Sequence, residues 1–243
     1  MKIIADLHTH TVASTHAYST VRENCEIAAE RGLSIIAMTD HAPLMADGPH
    51  EWHAENQQVL PQKIKGIYAL RGIEADIMNA DGELDIKPRI LDTLQWVVAS
   101  FHSSVYPTAT NDEHLQAIEN VCKNPLVDMF GHLTITDHMF DYTEGARLLA
   151  RYDKIAEVNE SSIKAGRSTR KNAIEFFNAC KKENVKISLD SDAHYCESIG
   201  ELSICREIVK EVGYPEELII NTDFDYIINR VNNNHPKAQK III

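Results

Sequence analysis

Ile3-Ile4-Ala5-Asp6-Leu7-His8-Thr9-His10 opens the chain with the unit on which the fold turns, a short apolar run that stops in polar side chains able to bind metal. Six further runs follow the same plan: Ile35–Met38, Ile67–Ile73, Trp96–Ala99, Leu126–Phe130, Ile155–Val158 and Val185–Leu189. Most are too short and too apolar for amphipathic helices, and such runs are expected of strands covered on both faces. Helical patterns alternate with them. Ser19 is placed to cap a helix carrying Val21, Cys25, Ala28 and Ala29 that stops at Gly32. Asn111 is placed to cap a second, with Leu115, Ile118 and Cys122 inward. Ile174, Phe177 and Cys180 make a third apolar stripe, and Leu202, Cys205, Val209 and Val212 a fourth that ends at Gly213. Seven strand–helix units predict a parallel α/β barrel in one domain over residues 1–243, with a doubly wound open sheet as the fallback. For Ile241–Ile243 a strand, a docked tail and disorder all stay open.

The ends of these runs carry the chemistry. In extended chain, residues two apart point the same way, so His8 and His10 can share one metal, and His16 follows in the loop. The second run leads to Thr39-Asp40-His41, the third to Gly72-Ile73-Glu74, the fourth to His102, the fifth to Gly131-His132 and the seventh to Asp192-Ala193-His194. Acidic residues alone mean little where they fill 36 of 243 positions. Histidine fills only 12, yet it stands just past five of the seven predicted strands. In a parallel barrel all those ends open on one face, where active sites are built. A lone His102 or His132 would read as a half-buried packing residue. Beside His8-x-His10 and Asp192-x-His194 both read as ligands, because imidazole and carboxylate are what zinc, manganese and iron sites use. His114, His138 and His235 read as structural. His50 and His53, in the loop beyond the second strand, are candidates for a substrate pocket or simply a solvated loop.

Composition narrows the partners. The net charge of −12 disfavours nonspecific contact with a nucleic-acid backbone. It does not exclude a small anionic substrate, because bound metals reverse the local field. No apolar run approaches a membrane span, and residues 1–10 lack a signal-peptide core, so the expected location is the cytoplasm. Five dispersed cysteines, without a C-x-x-C pair, read as reduced buried thiols. Oligomerisation is left open.

The residues His8-x-His10, His16, Thr39-Asp40-His41, Gly72-Ile73-Glu74, His102, His132 and Asp192-x-His194 together resemble the PHP (polymerase and histidinol phosphatase) domain family. The resemblance runs from residue 3 to about residue 200 and is nearest to the YcdX-like phosphatase branch. It is carried there by Thr11–Thr20, Ala46–His53, Asp81-Gly82-Glu83 and Asn159-Glu160-Ser161-Ser162. It implies a distorted (β/α)7 TIM-like barrel with three divalent metals per chain, usually zinc, with manganese and iron as alternatives. By motif position His8, His10, Glu74 and Asp192 would hold the first metal. Glu74, as a bridge, would hold the second with His102 and His132, and His16, His41 and His194 would hold the third. One departure stands out: His132 is followed by Leu133-Thr134 where that branch tends to proline and glycine, a pattern nearer to histidinol-phosphate phosphatases.

Three divalent ions against two carboxylates leave a local excess of about four positive charges, suited to a small phosphorylated substrate. The implied activity is that of a phosphatase, a hydrolase of phosphoric monoesters in which the metals activate water. Glu74, Asp192 and His194 are then central to catalysis. Asp6 and Asp40 are candidates to orient ligand imidazoles, and Arg167 and Arg170 to clamp a phosphate. The alternatives are a histidinol-phosphatase-like, phosphodiesterase or exonuclease activity within the same family, a metal-dependent amidohydrolase, and a non-catalytic metal-binding protein.

Overall fold

Each expected run meets a strand, though the first, Ile3–Ala5, does so only at Ala5 and Leu126–Phe130 only at Met129–Phe130, and every residue of the seven barrel strands is buried. A computed structural model describes residues 1–242. Its strands are β1 (Ala5–Thr9), β2 (Ile35–Met38), β3 (Lys63–Ile64), β4 (Ile67–Asp76), β5 (Trp96–Ser100), β6 (Met129–Phe130), β7 (Ile155–Asn159) and β8 (Ile187–Asp190). All but β3 pair in parallel, in the order β1-β2-β4-β5-β6-β7-β8. The result is a single α/β domain, a distorted and nearly closed barrel. β3 was not expected. It folds back on β4 through Lys65 (φ 54°) and Gly66 (φ 87°), two left-handed residues that suit a tight hairpin.

Side chains alternate between two layers. Along β2, Ile35 and Ala37 join Tyr68, Leu70, Trp96, Val98, Met129 and Ile155 in an inner cluster. Ile36 and Met38 face the outer cluster beneath the helices, with Val97, Ala99, Phe130, Val158 and Leu189. All five cysteines are buried and unpaired, as expected of packing thiols.

The helices begin one residue away from the expected caps. Thr20 and Thr110, not Ser19 and Asn111, cap Val21–Glu30 and Asn111–Cys122, each in a reciprocal box with the glutamate three residues on. Ser19 instead accepts the Cys196 N–H at 2.9 Å. Gly213 ends Ser203–Val212 in the left-handed conformation, φ 63°.

Between β8 and β1 a continuous ladder is missing, and side chains close the seam. Asp190 accepts the Leu7 N–H at 2.7 Å. Asn221 accepts the Leu189 N–H at 2.7 Å and donates to Ala5 O at 3.1 Å. The helix Phe224–Asn234 then presses Ile227, Ile228 and Val231 into the inner cluster. Ile241 is buried in that cluster and its N–H meets Asn232 Oδ1 at 2.9 Å, so the tail is docked there; Ile243 lies outside the described residues. Arg230 fastens this plug from the buried side, its Nε 3.0 Å from Asp128 Oδ1, while His235 meets Asp128 Oδ2 at 2.7 Å. The barrel is therefore plugged at the ends where its strands begin, and the opposite mouth carries the candidate ligands. No helix among the described residues is long and apolar enough to cross a membrane.

Candidate metal centre

Two features of the backbone gather the ligands. The β1–β2 register shifts between Asp6 and Thr9. That bulge lets Ala5 and Leu7 sit in the inner cluster while His8 and His10 also face inward, a parity that a regular strand cannot give. His132 and Asp192 both lie at positive φ, 32° and 51°. Non-glycine residues there are strained by about 1–3 kcal/mol, a cost that concentrates at functional sites. Gly131 allows the close approach before His132, because a Cβ there would stand 2.3 Å from Ser100 Oγ.

Glu74 is the hub. Its Oε1 lies 2.9 Å from His132 Nε2 and 3.6 Å from His102 Nε2. Its Oε2 faces His41 Nδ1 at 2.9 Å, His8 Nε2 at 3.3 Å and His10 Nε2 at 3.6 Å. Asp192 Oδ1 lies 3.0 Å from His10 Nε2, 3.5 Å from His194 Nδ1 and 3.7 Å from His8 Nε2. The His194 ring stands 4.2 Å from His10 and 4.3 Å from His16 between centroids. All nine residues read from the sequence as ligands are thus brought around one mouth. His10 stands at a junction, grouped with His8 and Glu74 on one side and with His41 and His194 on the other.

Charge is concentrated in this cluster. Burial opposes a charged His8, yet the carboxylates of Glu157, Glu74 and Asp192 outweigh it and hold the ring well above its usual pKa. His41 is raised to about 9 in the same way, Glu74 outweighing burial. Burial and the nearby His41 push His10 down to about 3, so its ring is neutral. Glu74 and Asp192 are held well below the usual carboxylate range, burial notwithstanding, by His8 and its neighbours. The donor set fits a metal cluster. His8 Nε2, His10 Nε2, His41 Nδ1, His194 Nε2 and Glu74 Oε2 are buried and make no hydrogen bond. Orphaned polar atoms are costly unless something else binds them, and these converge.

The supporting residues differ from those expected. Asp6 touches no imidazole; it holds Ser191 N and Oγ and Gly200 N, bracing the turn that carries Asp192. Asp40 binds Thr11 and Ser14 and reaches His53 Nε2 at 3.1 Å, so its imidazole partner is not a candidate ligand. Three supports were missed. Glu157 accepts His8 Nδ1 at 2.8 Å, Asp76 meets His102 Nδ1 at 2.5 Å, and Asp47 pairs with His16 Nδ1 and groups with His16 and His41. Glu157 left a readable signal, a lone carboxylate inside the apolar run Ile155–Val158. Asp76 shares the strand parity of Glu74. Asp47 left none.

Beside the cluster lies a cavity of about 550 Å³, with Asp192, His16 and His194 in its wall. Arg167 lines both this cavity and a smaller one of about 170 Å³ beside His102 and His132, and its guanidinium lies 3.4 Å from Asp192 Oδ2. Arg170 is a correction. It opens the helix Arg170–Lys182 and is held by Glu207 at 3.1 Å and Glu211 at 2.6 Å, with no contact to the cluster. His50 is exposed and lines a different hollow, next to Leu44 and Asp85. His53 reaches the cluster only through Asp40. His114 and His138 bond to backbone carbonyls of Met139 and Tyr106 and pack against Phe101, as structural residues do.

The sequence profile of the PHP domain family matches residues 6–123, a span that holds the candidate ligands from His8 to His102. A probable phosphatase of Photobacterium profundum is 39% identical over 90% of each chain. One from Clostridium novyi is 40% identical over 92% of each. Among solved structures, histidinol phosphate phosphatase from Lactococcus lactis subsp. lactis, complexed with zinc, L-histidinol and phosphate, superposes with a TM-score of 0.57. The match covers 87% of this chain and 94% of that one at 23% identity, a likeness of fold.

Proposed function

We propose a function from one premise: the chain belongs to the PHP domain family. It is a metal-dependent phosphatase acting on small phosphate monoesters, with three divalent ions, zinc by preference of the donor set, at the barrel mouth. His8, His10, Glu74 and Asp192 hold the first, Glu74, His102 and His132 the second, and His16, His41 and His194 the third. The observation that carries this reading is the geometry of Glu74, whose two oxygens face two different sets of imidazoles. A buried carboxylate shared in this way suits a bridge between cations.

When bound, such ions lower the pKa of water and neutralise phosphoryl oxygens. The protein's own part is orientation. Glu157 and Asp76 fix the His8 and His102 rings so that each Nε2 faces the centre. Arg167, at the junction of the two cavities, is placed to pair with phosphate oxygens, a role for which its planar fork is suited. No protein nucleophile is required.

The test is metal analysis of protein purified without chelator, combined with turnover of phosphate monoesters, diesters and single-stranded DNA. Monoesters should be hydrolysed fastest, and Glu74→Gln should lose metal and turnover together. Full metal with normal turnover in that variant would sink the reading. Faster diester or DNA cleavage would promote the nuclease alternative.

A further inference from the structure

A phosphate alone does not need a cavity of about 550 Å³, a size ordinary for a whole small ligand. Its rim is unusual. Tyr18 and Tyr195 are 74% and 52% exposed, and both line it. Each sits beside a candidate ligand in sequence, Tyr18 two residues after His16 and Tyr195 one after His194. The two loops are laced together, Tyr18 N–H donating to His194 O at 2.8 Å and Cys196 N–H to Ser19 Oγ at 2.9 Å. Both tyrosines are therefore carried at one mouth, next to the cluster.

The charges of the wall are unequally available. Glu160 is buried and fully engaged at the start of the helix Ser203–Val212, accepting Ile204 N–H at 3.0 Å and Cys205 N–H at 2.8 Å. Glu201 faces Arg31 Nη1 at 3.1 Å. Lys164, at the end of the helix Glu160–Lys164, has no carboxylate partner among the described residues. Asp192 belongs to the cluster and faces Arg167 at 3.4 Å, so away from the cluster the cavity offers two aromatic faces and the ammonium of Lys164, its other carboxylates being engaged.

We infer that this cavity is a leaving-group subsite that favours phosphate monoesters whose alcohol carries a flat ring and an anionic group, and disfavours those whose alcohol carries an amine. The inference rests on the phosphatase reading for its chemistry, but the recognition it describes is a separate property. Tyr18 and Tyr195 supply stacking surface, and Lys164 the charge preference.

The test uses the metal-loaded protein and four esters of primary alcohols, so that leaving-group reactivity stays similar: 4-carboxybenzyl, benzyl, 4-(aminomethyl)benzyl and ethyl phosphate. The carboxylated ester should exceed the aminated one in kcat/KM by about tenfold, the scale of an exposed charge pair reversed in sign. Lys164→Glu should invert that order, and Tyr195→Ala should lower the advantage of benzyl over ethyl phosphate. Matching phosphonates, which cannot be hydrolysed, are titrated by calorimetry in parallel. Hydrolysis of all four esters without preference, or a preference indifferent to Lys164→Glu, overturns the subsite and leaves the phosphatase standing. If no ester turns over but the carboxylated phosphonate binds best and Lys164→Glu abolishes that, the subsite stands and the phosphatase reading fails. Phosphonates that bind without preference overturn the subsite whatever the turnover.

Discussion

His8 and Glu157 are joined below the mouth of the barrel, Nδ1 to Oε1 at 2.8 Å, and the second oxygen of Glu157 accepts the His132 N–H at 2.7 Å. One carboxylate thus sets the ring orientation of one candidate ligand and the backbone of another. With Nδ1–H spent on Glu157, Nε2 is the nitrogen that His8 turns toward Glu74 and Asp192, and its lone pair is available to a metal when the ring is neutral.

Glu157→Gln should therefore weaken metal binding without touching a ligand. Glutamine can still accept from His8, but its NH₂ then faces the His132 N–H, donor against donor. Loss of such a support typically costs about 10–100-fold in metal affinity. Competition with a chromophoric chelator measures it, and an unchanged affinity would remove Glu157 from the centre.

Metal loading should release protons. In the metal-free chain His41 is raised from 6.5 to about 9, so its ring is charged at pH 7, and His8 is shifted in the same direction by Glu157, Glu74 and Asp192 against burial. The sign follows: the stability His41 adds to the metal-free chain is complete below about pH 6.5 and is lost as pH rises through about 9. Metals take neutral imidazole, so binding at pH 7 must expel the His41 proton at least, and affinity must climb with pH up to about 9. Calorimetric titration in two buffers of different ionisation enthalpy counts the protons released. Heats indifferent to the buffer would mean that the rings are already neutral.

Arg230→Ala tests the plug at the far end. It removes one of the two ring or guanidinium partners of buried Asp128, leaving His235, and frees the helix Phe224–Asn234 from Asp153, whose Oδ2 lies 3.1 Å from Arg230 Nη1. Breaking a buried ion pair from one side typically costs about 3–5 kcal/mol. Denaturant unfolding should show that loss, with turnover per folded molecule kept. A change below about 1 kcal/mol would mean that apolar contacts alone hold the plug.

What the sequence could and could not tell follows from range. His41, Glu74, His102 and His194 were legible because each ends or follows an apolar run, and run ends in a parallel barrel share one face. The runs themselves were legible because strands buried on both faces hold few polar residues. The β1 bulge was not, since a shift of register between Asp6 and Thr9 is decided by partners about thirty residues away, such as Thr39, whose Oγ1 accepts the Thr9 N–H at 3.1 Å. Asn221 as seam-closer was equally hidden, because nothing local marks an asparagine that bridges two distant strands. Arg170 misled for the opposite reason: a place after the sixth run said nothing of Glu207 and Glu211, one helix further on.

His194 gives the sharpest test of the third metal. It lies between the rings of His10 and His16 and only part of its side chain is exposed, yet its Nε2 makes no hydrogen bond. A buried nitrogen without a partner costs about 1–3 kcal/mol; His138 and His235 each bury one too, but that of His194 stands with those of His8, His10 and His41 in a single cluster. His194→Ala should therefore bind one ion fewer, the others remaining with His8, His10, Glu74, Asp192, His102 and His132. Turnover should fall by about 10²–10³, the usual effect of removing one preorganised charge from a transition state. The midpoint of unfolding in the metal-free state should change little, since the loss relieves an orphaned group as well as removing contacts. Three ions retained, or full activity with two, would place the third site elsewhere or outside catalysis. Unfolding of the metal-free variant would instead make His194 a structural residue, and the cluster would then hold two metals rather than three.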